Sequence, residues 1–296
     1  MASSDSAVPE QNPGIKMSLT PVEQTLLIML RFRALDAETP NPILGDIYAK
    51  PVLDSVSIDL TQPQFSTDPR WVKLWCTRAK TLDTWCRSFL VANPACTVLH
   101  LGCGLDSRVL RIAPGPSVRW IDVDQPAVIA LRSRLLPSTP AGSNYRMIEA
   151  DVQDAGWLED VPVVPGQPTL VVMEGLVMYL TPERGAGLFR RLVDKFGAAA
   201  GGGGGGGEFA FDVVGSLTAR LLDWGWIPAL RRLGIRWTWY TDDPRTLEAI
   251  HPSLKFLEEG RYPDDAPPWF GEFRTKLFSL LPSYKNLGRV VRLKFE

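Results

Sequence analysis

The sequence predicts an α/β fold built on a doubly wound, mostly parallel sheet. Apolar runs of strand length recur from Val98 onward, with helical stretches between them. That alternation covers both faces of a parallel sheet. Several runs end in a glycine turn or an acid, at the carboxyl edge where open α/β sheets bind ligands.

Residues 1–17 are small, polar and proline-containing, without an apolar signal core, and read as a disordered tail. Thr20-Pro21-Val22-Glu23 starts a helix, with Thr20 as cap and Pro21 in the first turn. Leu26, Leu27, Leu30 and Leu35 continue it at roughly helical spacing. A second helix is expected over 43–56, kinked or split by Pro51. Asp68-Pro69-Arg70 starts a third, which runs through Trp71, Trp75, Leu82, Trp85 and Phe89 and ends at Asn93-Pro94. Residues 18–92 therefore form an N-terminal helical cap, and 93–296 the sheet-bearing core.

Within that core the expected strands are 98–101, 118–124, 145–151, 169–175, 208–214, 254–261 and 290–295. Helices are expected at 107–112, 126–136, from Thr181-Pro182-Glu183 to near Gly197, at 244–250 and at 269–280. The glycine tract 201–207 is low in complexity and reads as a flexible loop that cannot pack; no strand feeds it as a phosphate cradle would require. A stretch at about 215–245 breaks the alternation with Trp224, Trp226, Trp237, Trp239 and Tyr240. Two readings suit it equally: a lid over a small aromatic substrate, or plain packing.

The totals exclude several classes. A net charge of -1 offers no long-range attraction to nucleic acid or anionic lipid. No apolar run reaches membrane-spanning length. Cys76, Cys86, Cys96 and Cys103 lack zinc-type spacing and read as reduced, mostly buried thiols of a cytoplasmic protein. With only His100 and His251, no histidine-rich metal centre is expected.

The turn Gly102-Cys103-Gly104-Leu105-Asp106-Ser107 departs from the dinucleotide fingerprint, which wants glycine where Ser107 stands. Asp106 adds negative charge where a pyrophosphate would sit. The same acid is acceptable beside a cationic ligand, and S-adenosylmethionine carries a sulfonium, an ammonium and no phosphate. Asp122 falls at about the separation at which such sheets place a ribose-binding acid. The alternative for Asp122 and Asp124 is that they only mark the strand's exit and cap the next helix.

Read together, four stretches resemble the leucine carboxyl methyltransferase family, including its tetracenomycin-type polyketide O-methyltransferase branch. They are Leu101-Gly102-Cys103-Gly104-Leu105-Asp106-Ser107-Arg108, Ile121-Asp122-Val123-Asp124, Ala150-Asp151-Val152 and Met173-Glu174-Gly175-Leu176-Val177-Met178-Tyr179-Leu180. The resemblance implies a class I methyltransferase fold, Rossmann-like, with seven strands of which the last is antiparallel. It implies S-adenosyl-L-methionine as cofactor. By that resemblance Gly102, Gly104 and Asp106 lie at the methionine part, and Arg78 holds its carboxylate. Asp122 with Val123 meets the ribose, Asp151 and Val152 the adenine, and Glu174 with Gly175 the ammonium. Arg78 also reads as a solvated helix face, and Tyr179 as simple packing.

The implied activity is O-methylation of a small acceptor, aromatic or polyketide-like, by a monomer or homodimer. An ionised carboxylate needs no general base, whereas a phenol with a pKa of about 10 benefits from one. The candidate catalytic side chains are Tyr179, facing the methyl-transfer cleft by resemblance, and His251 in a turn before Pro252. Alternatives are a protein C-terminal carboxyl methyltransferase, a non-catalytic cofactor-binding module and an NAD(P) oxidoreductase.

Overall fold

The computed structural model describes residues 15–16, 21–62, 65–139, 143–198, 203–225, 227–262 and 282–296. The capping role of Thr20, the side chain of Trp226, the helix expected at 269–280 and nearly all of the expected tail lie outside these residues. The sheet holds β1 (Thr97–Leu101), β2 (Arg119–Asp124), β3 (Tyr145–Glu149), β4 (Thr169–Met173), β5 (Gly207–Val214), β6 (Lys255–Arg261) and β7 (Gly288–Phe295). Their order is β3-β2-β1-β4-β5-β7-β6. β1 to β5 run parallel, and β7 is antiparallel to both its neighbours. The expected sheet, with its last strand reversed, is the one observed.

Alternation along β1 explains the layers. Leu99 and Leu101 face one side, where Leu188, Phe189 and Leu192 of α6 (Pro182–Phe196) pack on them. Val98 faces the other, against Leu82, Cys86 and Phe89 of α3 (Pro69–Ala92). The chain reverses faces at each residue because strand side chains alternate. α4 (Arg108–Ile112) and α5 (Pro126–Leu135) follow β1 and β2. α7 (Ser216–Asp223) and α8 (Pro228–Arg232) follow β5. Asp68 accepts from the Arg70 N–H and Thr181 from the Arg184 N–H, so both helix starts form as their cap residues predict.

The cap departs from expectation at its second helix. α1 (Pro21–Ala37) forms, but α2 covers only Ala49–Asp54. The Asp36 carboxylate takes the N–H groups of Ile43, Leu44 and Gly45 at 2.8, 2.9 and 2.9 Å, which holds that segment as a loop. Pro51 falls in the first turn of α2, where a missing N–H costs nothing, and it neither kinks nor splits the helix.

The glycine tract is a second correction. Within its described part, 203–207, Gly204 to Gly207 lie close against neighbouring backbone. A Cβ at Gly204 would come within 2.2 Å of the Phe196 carbonyl oxygen, and one at Gly207 within 1.9 Å of the Thr169 carbonyl oxygen. Glycine here lets backbone lie against backbone at the start of β5. All four cysteines are free and buried.

We expect Gly207→Ala to lower stability by about 2 kcal/mol, because a rigid carbonyl cannot yield to the new methyl. Gly187→Ala, inside α6 with only the Arg191 guanidinium near its Cβ, should raise stability by about 1 kcal/mol through helix propensity. Urea denaturation of both variants checks the pair.

Candidate active site

The register of the sheet assembles the site. Leu101 lies level with Val123 and Met173, and Asp124 with Glu149. The next positions, Gly102, Asp124, Ala150 and Glu174, therefore line up along one carboxyl edge. A cavity of about 650 Å³ opens there, a volume typical of a small-molecule site. Side chains of α1 and α3 and of the insert after β5 form its other walls.

Gly102 and Gly104 adopt φ of 65° and 50°, in the left-handed region. A Cβ on Gly104 would come within 2.7 Å of Leu26 Cδ2 on α1. The Gly102 N–H donates to the Val123 carbonyl at 2.8 Å, and the Gly104 N–H to Asp124 Oδ2 at 2.7 Å. Asp124 Oδ1 also accepts from the Gln125 N–H, so the carboxylate is fixed by backbone alone. Burial raises its pKa, and the two N–H groups only partly offset that.

Beneath the turn lies a buried ionic network. Glu174 Oε1 accepts from Arg33 at 3.0 Å and Arg78 at 2.9 Å, and its Oε2 from Arg108 at 2.5 Å. Burial would raise its pKa, but the three guanidiniums outweigh that and hold it at about 2. Asp106 pairs with Arg33, Arg108 and Arg111 at 3.0, 3.3 and 2.7 Å. Asp212 of β5 accepts from Arg78 Nη1 at 2.9 Å, the Gly175 N–H at 2.6 Å and the Tyr262 hydroxyl at 2.9 Å.

Arg78, Gly102, Gly104, Asp106, Asp151, Val152, Glu174, Gly175 and Tyr179 all line the cavity. Three expected site residues do not. Asp122 is fully buried, and its carboxylate is taken by Arg132 at 2.5 Å, Trp120 at 2.8 Å, Tyr145 at 2.8 Å and His100 at 3.2 Å. It is a structural anion, and Asp124, at the strand's last position, is the acid that reaches the cavity. Val123 packs in the core and offers only its carbonyl to the turn. His251 pairs with Asp194 at 3.4 Å and accepts from the Ser253 N–H, outside the cavity lining. Arg78 is 4% exposed, which removes the solvated-face reading.

Sequence reasoning missed Asp124, Arg33 and Asp212. Asp124 lies twenty residues after Gly104, so counting from the second glycine selects it. Asp212 interrupts the apolar run Phe209-Ala210-Phe211-Asp212-Val213-Val214, the same signal that singled out Glu174. Nothing in the local sequence marks Arg33.

The cavity suits a cationic nucleoside better than a dinucleotide. Asp124 and Asp151 face it, and the arginines near the turn are already matched by carboxylates. The buried Nε of Arg78 has no hydrogen-bond partner among the described residues. This sheet and strand-end cavity define a class I methyltransferase. A crystal structure of a protein from Streptomyces avermitilis shares the fold, with a TM-score of 0.54 and 16% identity over 90% of this chain and 97% of that one.

The leucine carboxyl methyltransferase model matches residues 27–193, and the chain belongs to that family. An S-adenosyl-L-methionine-dependent methyltransferase of Gibberella zeae, dpfgK, is 39% identical over 82% of this chain and 83% of its own length. The tetracenomycin polyketide synthesis O-methyltransferase TcmP of Streptomyces glaucescens is also 39% identical, over 83% of this chain and 85% of its own. The protein is an S-adenosylmethionine-dependent methyltransferase, and the oxidoreductase and non-catalytic readings fall with that assignment.

Two predictions separate the aspartates and test the network. Asp124→Asn should weaken binding of S-adenosylhomocysteine at least about tenfold by calorimetry with little change in urea midpoint. Asp122→Asn should instead lower stability by about 3 kcal/mol, as breaking a buried pair does. Glu174 and Asp122 both sit at about 2 in the fold, below their ordinary values of 4.5 and 3.8. Their stabilisation is complete above those ordinary values and lost as pH falls toward about 2. Stability measured across that window should decline steeply, and less steeply in Glu174→Gln.

Proposed function

We propose that the protein methylates an oxygen of a small aromatic, polyketide-like acceptor, at a carboxylate or an acidic hydroxyl. The observation that carries this reading is the wall of the cavity beyond the glycine turn. There the insert supplies Ile227, Leu230, Ile235 and Trp237, and α3 adds Trp71, which packs against them, and Trp75. Such a wall suits a flat apolar body. The Streptomyces glaucescens relative, a polyketide synthesis O-methyltransferase, supports it.

S-adenosylmethionine supplies an activated methyl group, displaced in line from a sulfonium. Gly102 and Gly104 would lie under its methionine part, Asp124 would hold the ribose, and Asp151 with Val152 the adenine. Arg78 would present its free Nε to the carboxylate. Glu174 orients Arg33, Arg78 and Arg108, and its Oε2, which accepts only from Arg108, would have a lone pair left for the ammonium.

Among the described residues the cavity offers the acceptor little basicity. His251 is off the cavity, His100 is buried with its two ring nitrogens beside Asp122 and Arg108, and Glu174 is held at about 2, too weak a base for a phenol. Burial raises the Tyr262 phenol well above its ordinary value, and its hydroxyl donates to Asp212. An acceptor that arrives ionised needs only positioning and exclusion of water. Tyr179 lines the cavity and is 43% exposed, a position suited to contacting such an acceptor.

The insert over 215–245 acts as the lid of this acceptor site. No helix among the described residues is long and apolar enough to cross a membrane. The free buried thiols suit a cytoplasmic protein.

The purified protein, labelled donor and three acceptor sets test the reading: aromatic acids, matched phenols, and a protein phosphatase catalytic subunit. Transfer should be fastest to aromatic acids and acidified phenols. Transfer confined to the phosphatase tail would replace this reading with protein carboxyl methylation.

A further inference from the structure

The charged side chains lining the cavity are matched within the protein, with one exception. Arg33 and Arg78 are held by Asp106, Glu174 and Asp212. Asp124 and Asp151 accept backbone N–H groups. Arg236 lines the same cavity, is exposed, and has no hydrogen-bond or ion-pair partner among the described residues.

Its place is fixed from both sides. Gly234, at φ 69°, ends α8: its N–H donates to the Arg231 carbonyl, and the Ile235 N–H to the Leu230 carbonyl. On the other side Trp237 is buried, and Thr238 donates its N–H to the Met178 carbonyl at 2.9 Å and its hydroxyl to the Leu180 carbonyl at 2.7 Å. Met178 and Leu180 flank Tyr179. The backbone that carries Arg236 is thus tied to the turn that carries Tyr179.

The charge around Arg236 points the same way. Of the arginines in the insert over 215–245, Arg236 is the one that lines the cavity, in the same lining as Ile227, Leu230, Ile235 and Trp237. A cation beside an apolar wall suits a ligand with an apolar body and an anionic outer edge. A guanidinium meets a carboxylate with paired hydrogen bonds and tolerates partial burial better than an ammonium.

We propose that Arg236 is a specificity-determining residue that recognises an anionic group of the acceptor remote from the oxygen being methylated. This rests on the aromatic-acceptor reading and adds a second charge to it. The pairing is exposed to solvent, so its effect is modest and salt-sensitive.

Two probes test it: naphthoate, and a naphthalene dicarboxylate whose second carboxylate lies on the far ring. Methyl transfer from labelled donor gives a KM for each. The protein should favour the dicarboxylate by about three- to fivefold, and high salt should shrink that preference. In Arg236→Gln the ratio of the two KM values should fall to near one, while Arg236→Lys keeps part of it. S-adenosylhomocysteine binding by calorimetry reports that each variant is folded. An equal preference in the parent and Arg236→Gln, or none in the parent, overturns the role of Arg236 and leaves the aromatic-acceptor reading standing. Transfer to neither probe, with S-adenosylhomocysteine still bound, overturns this role of Arg236 together with methylation at an aromatic carboxylate.

Discussion

The structure depends on a buried web of guanidiniums and carboxylates under the glycine turn. Arg33 of α1, Arg78 of α3, and Arg108 and Arg111 of α4 meet Asp46, Asp83, Asp106, Glu174 and Asp212. Each buried ion costs several kcal/mol unless its partners are well placed. Here every carboxylate accepts from two or more donors. Asp46, for instance, takes Ser107 and Arg111, and Asp83 takes Arg108 and Arg111. A well-packed apolar core could match the stability of such a web. What the web supplies is position: it fastens the helical cap to the ends of β1, β4 and β5.

The chemistry of the cavity follows from that web. Because the internal charges satisfy one another, the donor end of the cavity is shaped mostly by backbone, by Asp124 and by the free Nε of Arg78. The acceptor end is apolar instead. Its aromatic residues divide by role. Trp239 fills the space over Gly185, where a Cβ would come within 1.9 Å of the indole, and packs edge-on to Phe189. It locks the insert to α6. Trp237 faces the cavity, and Trp224 stands 61% exposed. Packing therefore holds for Trp239, while Trp237 stands in the cavity wall.

Much of the site was legible because strand ends write their chemistry locally. A glycine pair needing left-handed backbone, acids closing apolar runs, and a glutamate inside Val171-Val172-Met173-Glu174 are all visible before folding. The family match reaches back to residue 27, well before the four strand-end stretches that carry the resemblance. What failed were residues whose role depends on a distant partner. His251 looked available as a base, but it sits against Asp194 on α6.

By itself the sequence determined the strand order's raw material, the turn, the edge where ligands bind and the family. Those follow from periodicity and from dihedrals that only glycine adopts easily. Only the tertiary structure decided which of two aspartates faces the cavity. Asp122 and Asp124 lie on the same face of β2, two residues apart, and pattern cannot rank them. Arg132, reaching in from α5, claims the deeper one, and the turn's backbone leaves the outer one at the cavity. The choice is made by what packs against each carboxylate, and that is a property of the fold.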